Sequence, residues 1–504
     1  MSSTNDCDHG SQSAAGIREK SPRPRVRKSD GHDSTVGKNS VKRDAMGTAM
    51  RLLTRVTGSA FAAKYGLNER IDRITYESTK SGMKSLGAAS REFKRVTSGR
   101  SPIRLPFVGV GDGKKVGDQA PDAQAEEKAV DARKVLWDLT PDDDQEMIVD
   151  TIKEFAEKRI SPAAHDADEA AAVSEDLRQE ALGLGIAMVN VPEEFEGIAT
   201  GSNLTTNFLV TEALAHADPG IALSVMAPAG VAATLTAYGS DEQQQTYLPA
   251  FAGEDIPISA VTVAEPKPLF DPFSLSTTAR RDGDEIVIKG VKALVPDAGH
   301  CELFVVATML DGVPTFVIVE SDTEGVVVEP DPSMGLRAAG LGRVLLNDVR
   351  IPLSNILGGP HRSGEDREND YREVIRRSRL GWAALAAGAC SAVLDYVKPY
   401  VNEREAFGEP ISHRQAVAFA VANIRIELDG MRLVALRGCS RADQGLTFHR
   451  EAALARDLAA DKGMAIGSDG VQLLGGHGYT KEHPVERWYR DLRAIGVAEG
   501  TIVL

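Results

Sequence analysis

The chain is poor in cysteine and in aromatic side chains. Its four cysteines, Cys7, Cys301, Cys390 and Cys439, stand far apart and form no CxxC pair. That spacing excludes a disulfide framework and the common zinc motifs, and it fits a reducing cytosol. The ten histidines show no HExxH and no His/carboxylate triad spacing, so no metal is expected. Long hydrophobic runs are missing too. The longest uncharged apolar stretch, WAALAAGACSAVL at 382–394, is too short to span a bilayer and reads as a buried helix. No N-terminal stretch has the apolar core of a signal peptide. The expected location is cytoplasmic.

Positive charge is scarce over most of the length. The net charge is −15, yet residues 1–104 hold 21 Lys/Arg against 10 Asp/Glu, and the remainder holds 37 against 63. A basic arm precedes an acidic body. The acidic body argues against a nucleic-acid-binding enzyme, whose surface needs positive charge. The arm alone can touch RNA, an anionic membrane or an acidic partner.

What is present divides the chain into six stretches. Residues 1–45, rich in Ser, Gly and charge, cannot bury enough apolar surface to offset ordering entropy and read as a disordered tail. Residues 46–100 read as a basic amphipathic helical extension, from MRLLTRVTGSAFAAKYGLNERIDRI onward. Packing on the protein's own body and a contact with a membrane surface or partner through 46–96 are both open readings. Residues 101–137 read as a linker. An N-terminal helical domain follows at 138–257, opening with Thr140 as N-cap, Pro141 at the first helical position and Asp142–Asp144 in the first turn. Residues 258–365 change to short β-branched runs such as EIVIKGVKALV and TFVIVE, separated by turn signals such as RDGD and DTEG. Residues 366–504 return to long helical text. The expected fold is mostly α, with a β-barrel-like middle domain and a C-terminal four-helix bundle.

One residue in that last stretch stands out. In AIGVAEGTIVL (494–504) the carboxylate of Glu499 sits in an otherwise apolar run. Taken alone, it reads as a helix-start or turn residue.

Several motifs taken together resemble the acyl-CoA dehydrogenase family. VNEREAFGEPISHRQ (401–415) is similar to its E-R-x-x-F-G-x-P-I segment. VQLLGGHGYTKEHPVERWYRDLRAIGVAEGT (471–501) is similar to its Q-x-x-G-G-x-G-Y … P-V-E-R-x-Y-R-D … E-G-T segment. SMGLRAAGLGRVLLNDVRIPLSNILGG (333–359), VPEEFEG and YGSDEQQQTYLPAFAGE match further stretches in the same order. The resemblance covers about 138–504 and implies the helix–β–helix fold.

The resemblance also implies a chemistry. It points to FAD-dependent α,β-dehydrogenation of an acyl-CoA thioester, with Glu499 as the base for the α-proton and the β-hydrogen leaving as hydride to the flavin. Such a base must be shielded from water, and burial raises a carboxyl's pKa toward working pH. The thioester carbonyl would be polarised by the flavin ribityl hydroxyl and the Glu499 N–H. Arg379 matches the Arg that opens the long helix beneath that Glu, where it would orient or tune it; the alternative is a capping or surface Arg. Arg404 and Phe407 match residues that hold the FAD pyrophosphate and pack on the cofactor, with Gln415 nearby. Gln472, Gly475 and Gly476 match the segment by which a neighbouring subunit reaches the adenosine end, and Thr501 another cofactor contact. A shared FAD implies an oligomer, usually a tetramer, and the implied electron acceptor is an electron-transferring flavoprotein.

The pattern breaks around the flavin ring. Where the family carries T-E-P-x-x-G-S-D, this chain has AEPKPLFD (264–271): Thr has become Ala264 and Gly-Ser has become Leu269-Phe270. The W-I-S/T triplet is Leu294-Val295-Pro296, and a Gln after the E-G-T segment is Val503. Pro296 removes an N–H donor outright. Each lost neutral hydrogen bond weakens flavin binding by roughly 0.5–1.5 kcal/mol if nothing compensates. The family pattern also continues past the position of Leu504, which leaves a truncated chain or a site completed by another chain. Three readings follow: an active dehydrogenase with an altered flavin pocket, a flavin-deficient subunit paired with a competent relative in a hetero-oligomer, and a non-catalytic acyl-CoA-binding or scaffold protein.

Overall fold

The computed structural model describes residues 139–253 and 255–504. The tail at 1–45, the amphipathic extension with its membrane-surface reading, and the linker to 137 lie outside the described residues.

Helix α1 (Asp143–Phe155) opens on a capping box. The Asp142 carboxylate accepts from the Gln145 N–H at 2.8 Å, and the Gln145 amide oxygen accepts from the Asp142 N–H at 3.2 Å. The cap is therefore Asp142 and not Thr140. The reciprocal pair needs a Glu or Gln three residues on, which Asp142 has and Thr140 lacks. A π turn at Ala156–Ile160 leads into α2 (Ser161–Ala170), and α3 (Glu175–Gly183) follows. Next come α4 (Leu204–Ala217), α5 (Pro219–Tyr238) and α6 (Asp241–Ala252). Helix α5 is apolar on nearly every side and sits in the core, as such a helix must, and α4 beside it is mostly buried.

The middle domain is one seven-stranded sheet. Its strands are β1 (Ser259–Thr262), β2 (Thr278–Asp282), β3 (Glu285–Val295), β4 (Leu303–Leu310), β5 (Val313–Glu320), β6 (Val326–Pro330) and β7 (Gly342–Pro352). The order is β1-β4-β2-β3-β7-β6, with β5 paired to β4. Strands β1 and β2 run parallel to β4; the other pairs are antiparallel. The period-two alternation of β4 serves two cores. Phe304 and Val306 join Ile286, Ile288 and Val344 in the sheet's own core, while Leu303, Val305 and Ala307 face the helical core.

The C-terminal bundle comprises α7 (Gly364–Glu403), α8 (Gln415–Asp443), α9 (His449–Leu474) and α10 (Val485–Ile495). A short hairpin, β8 (Glu405–Ala406) and β9 (Glu409–Pro410), joins α7 to α8. Helices α5 and α7 are long and apolar enough to cross a membrane by length and composition, but both are mostly buried in this core. Arg379 lies inside α7, fifteen residues past its first residue Gly364, and does not open the helix.

Charged side chains tie the helical layers together where apolar packing gives no register. Asp443, at the end of α8, accepts from Leu204 N and Thr205 N at 2.8 and 2.9 Å and so caps α4 from a distance. Asp218 caps α5 through Ile221 N at 2.9 Å and pairs with Arg487 of α10 at 3.1 Å. Asp491, one turn further along α10, accepts from Leu336 N at 2.6 Å. These contacts fix the direction of α10, and the chain leaving α10 carries Glu499.

Candidate active site

Helix α10 ends at Ile495, and the next residues turn back into the protein. Gly500 has φ +81°, and a Cβ on it would meet the Val263 side chain at 2.6 Å, so this position needs glycine on both counts. Gly500 forms an antiparallel bridge to Thr262 at the end of β1, and Thr501 N donates to Val261 O at 3.1 Å. From α7, Ser378 Oγ and Trp382 Nε1 both donate to Gly500 O, at 2.7 and 2.8 Å. The segment is thus held by β1 on one side and α7 on the other.

Glu499 sits at the centre of this clamp, 8% exposed. Its two carboxylate oxygens have different surroundings. Oε1 lies 3.2 Å from Arg379 Nη2 and 3.6 Å from Arg456 Nε. Oε2 is buried and has no hydrogen-bond partner among the described residues. A buried carboxylate oxygen without a donor costs free energy. Arg456 also donates Nη2 to Ala498 O at 2.7 Å and Nη1 to Ile495 O. Its burial pulls its pKa below the usual guanidinium value, and Glu499 works in the opposite direction.

Arg379 reaches a further element. Its guanidinium lies 5.9 Å from the Phe273 ring, and that of Arg372 lies 5.4 Å from it. Phe273 follows the divergent AEPKPLFD loop. The loop is anchored at its root by Glu265, which accepts from Ser276 N and Thr277 N and pairs with the fully buried Lys292 Nζ at 2.9 Å. Burial pushes the Lys292 pKa down to about 8 against the pull of Glu265. The Glu shared with the family pattern therefore has a structural task here. Leu269, where the family carries Gly, keeps a left-handed backbone at φ +52° with its side chain fully in solvent. That geometry costs a branched side chain about 1–2 kcal/mol. Leu294, in place of Trp, is also left-handed at φ +55°.

The remaining candidate residues lie elsewhere. Phe407 and Gly408 are the two central residues of the β8–β9 hairpin, with φ +59° and +86°, as a two-residue primed turn requires. Phe407 is 97% exposed, and the Arg414 guanidinium lies 5.8 Å from its ring. Arg404 and Gln415 flank the hairpin and are exposed, and their side chains make no ion pair or hydrogen bond among the described residues. Gln472, Gly475 and Gly476 lie at the far end of α9, also exposed. They are at the same end of the bundle as the hairpin, since Tyr400, one turn before Arg404, donates to Leu474 O at 3.4 Å. Thr501 is buried, and its hydroxyl turns to Val261 O at 3.4 Å.

These residues fit the adenosine diphosphate half of FAD. A strained and fully exposed aromatic, uncommitted guanidinium and amide side chains, and a glycine turn with open space above it (no atom lies within 4 Å of a Cβ at Gly475 or Gly476) form a donor set and a stacking face that beside Phe407 meets only Arg414 among the described residues. At the ring end, Ala264, Leu269, Phe270, Leu294 and Pro296 offer no hydroxyl. Thr262, Ser378 and Thr501 carry hydroxyls beside the Gly500 bridge.

The N-terminal and C-terminal helices share one core with the sheet packed against it, and that body carries a clamped, buried glutamate and, at the far end of the bundle, an exposed face of polar and aromatic side chains. Residues 142–255, 260–349 and 371–502 match the N-terminal, middle and C-terminal domain models of acyl-CoA dehydrogenase. The chain is 31% identical over 366 residues to the probable acyl-CoA dehydrogenase YngJ of Bacillus subtilis, covering 71% of this chain and 94% of that one. Among solved structures, it resembles a chain from the structure of the electron transferring flavoprotein of Acidaminococcus fermentans (29% identity, TM-score 0.66, 72% of this chain and 96% of that one). It also resembles a glutaryl-CoA dehydrogenase from Mycobacterium smegmatis in complex with FADH2 (25% identity, TM-score 0.63, 74% and 94%). The chain belongs to the acyl-CoA dehydrogenase family. It is an oxidoreductase acting on acyl-CoA, and its cofactor is FAD.

Sequence reasoning found Glu499 and Arg379 but missed Arg456, Ser378, Trp382 and Lys292. Arg456 lies 43 residues before Glu499 in a helical run with no distinguishing motif.

Proposed function

We propose that the protein converts an acyl-CoA thioester to the trans-2-enoyl-CoA, with Glu499 removing the α-proton. The observation that carries this reading is the division of the Glu499 carboxylate: Oε1 is tied to Arg379, and Oε2 is buried and unpartnered. A general base needs one oxygen fixed and the other free toward the proton it takes. The Gly500 clamp holds the Glu499 main chain, so its N–H is a fixed donor for the thioester oxygen. FAD supplies the acceptor for the β-hydrogen as hydride. Arg404, Phe407 and Gln415 would hold its adenosine half, together with Gln472, Gly475 and Gly476 of a neighbouring subunit in a tetramer. An electron-transferring flavoprotein would then reoxidise the protein; the likeness to the Acidaminococcus structure supports that partner.

The test is the visible spectrum of the purified protein before and after anaerobic addition of straight-chain acyl-CoAs. The expected result is a bound flavin that bleaches with at least one chain length, while Glu499→Gln binds flavin and acyl-CoA but bleaches at least 100-fold more slowly. A Glu499→Gln protein that bleaches at the wild-type rate would sink the reading. The substitutions at Ala264, Leu269, Phe270, Leu294 and Pro296 favour one second reading, a flavin-deficient subunit of a hetero-oligomer. A protein that stays colourless with added FAD would select it.

A further inference from the structure

Arg456 is a buried cation that neither the motifs nor the reaction scheme above uses. It projects from α9 at a level where its helical neighbours are small, Ala452, Ala455 and Ala459, all buried. That leaves room for a full guanidinium inside the bundle. Its three nitrogens go to three different parts of one segment. Nη1 donates to Ile495 O, the last carbonyl of α10, which a helix leaves without an internal donor. Nη2 donates to Ala498 O at 2.7 Å, the carbonyl preceding Glu499. Nε faces Glu499 Oε1 at 3.6 Å. The end of α10, the turn and the carboxylate are therefore set by one rigid plane. A lysine has a single nitrogen and cannot reproduce three directed contacts.

Before Glu499 the turn also closes on itself, through Val497 N and Ala498 N to Ala494 O, and past Glu499 the segment is held from outside. Ser378 and Trp382 hold Gly500 O, and Val261 O holds Thr501 N. Arg379 reaches Oε1 from a half-exposed position and also lies against the Phe273 ring of the divergent loop. Among the described residues, Arg456 is the side chain that donates to the carbonyls of the segment before Glu499, from the interior of the bundle.

We propose that Arg456 is a positioning residue for the dehydrogenation: it sets the approach of the 495–499 segment and holds Oε1, so that Oε2 is the oxygen presented to the substrate. This rests on the reading of Glu499 as the base. The inference predicts that Arg456 governs proton removal and not acyl-CoA binding. A group that merely stabilised the bundle would change the fraction of folded protein and leave the rate per folded molecule alone.

The experiment compares the full-length wild type with Arg456→Lys, Arg456→Gln and Glu499→Gln. Melting temperature and circular dichroism report folding, isothermal titration reports affinity for straight-chain C4 to C12 acyl-CoAs, and mass spectrometry reports α-hydrogen exchange of those acyl-CoAs in D2O. Exchange reads proton removal without requiring hydride transfer. The expected result is a folded Arg456→Lys protein whose acyl-CoA affinity stays within about threefold of wild type while exchange falls 10- to 100-fold. Arg456→Gln should lose more, and if it does not fold, Arg456→Lys carries the test. Wild-type exchange in Arg456→Lys, with exchange abolished in Glu499→Gln, overturns the role of Arg456 and leaves Glu499 standing. Undiminished exchange in Glu499→Gln, or none in the wild type with any chain length, overturns the base and the positioning role with it.

Discussion

Asp491 is a buried carboxyl group whose surroundings favour its neutral form. Burial pushes its pKa up to about 8; the neighbouring Asp218 adds to the rise, and Leu336 N–H and the Arg490 and Arg487 guanidiniums only partly oppose it. Asp218, which pairs with Arg487, is raised for the same main reason. The unfolded chain loses the Asp491 proton near the ordinary carboxyl range, whereas the folded chain keeps it to about pH 8. Between those limits this group binds more protons in the folded state, so its contribution to stability falls as pH rises, by up to about 1.4 kcal/mol per pH unit. Asp491→Asn cannot ionise and keeps an oxygen for Leu336 N–H. The expected outcome is that, from pH 5 to pH 8, the melting temperature of the variant rises relative to that of the wild type. Parallel profiles would show that Asp491 is ionised in the folded protein.

At the level of elements, the pair Lys292–Glu265 fastens the AEPKPLFD loop to strand β3. Both side chains are buried, and Glu265 also accepts two main-chain N–H groups at the loop's far root. Removing one member of such a pair leaves the other charge without compensation, at a cost of about 3–5 kcal/mol. Lys292→Met should therefore lower the urea midpoint strongly, and the double variant with Glu265→Gln should recover part of the loss. A double variant no better than the single one would mean that the loop is held by its N–H contacts alone. The same elements show what was legible in the sequence. The β-branched alternation of EIVIKGVKALV and TFVIVE announced strands because side-chain period two is local, and the Asp142 capping box lies two residues from the expected cap Thr140. The order β1-β4-β2-β3-β7-β6 was not legible, because pairing depends on partners far along the chain. Glu499 was visible because its neighbours Gly500 and Thr501 form a motif. Arg456, Lys292 and Asp443 were hidden, because each earns its role only from a residue tens or hundreds of positions away.

The whole molecule raises the question of where a nucleotide-binding face is completed. Phe407 is strained, aromatic and fully in solvent, and Arg404, Gln415 and Gln472 have uncommitted side chains. A monomer gains nothing from that arrangement, since an exposed ring at positive φ costs conformational energy without burying area. The arrangement makes sense when FAD lies between the hairpin of one subunit and the α9 end of the next. Mixing of variants tests this directly. Phe407→Ala and Gln472→Ala should each lower the flavin content of a pure assembly. If one site uses Phe407 from one subunit and Gln472 from its neighbour, a mixed dimer of the two variants contains one site with both residues intact and one with both lost. Co-expressing the two variants should then restore up to half of the flavin in each mixed dimer, read as the ratio of flavin to protein absorbance after tandem-tag purification. A mixed assembly with no more flavin than either parent would place both residues on the same subunit's cofactor, or on none.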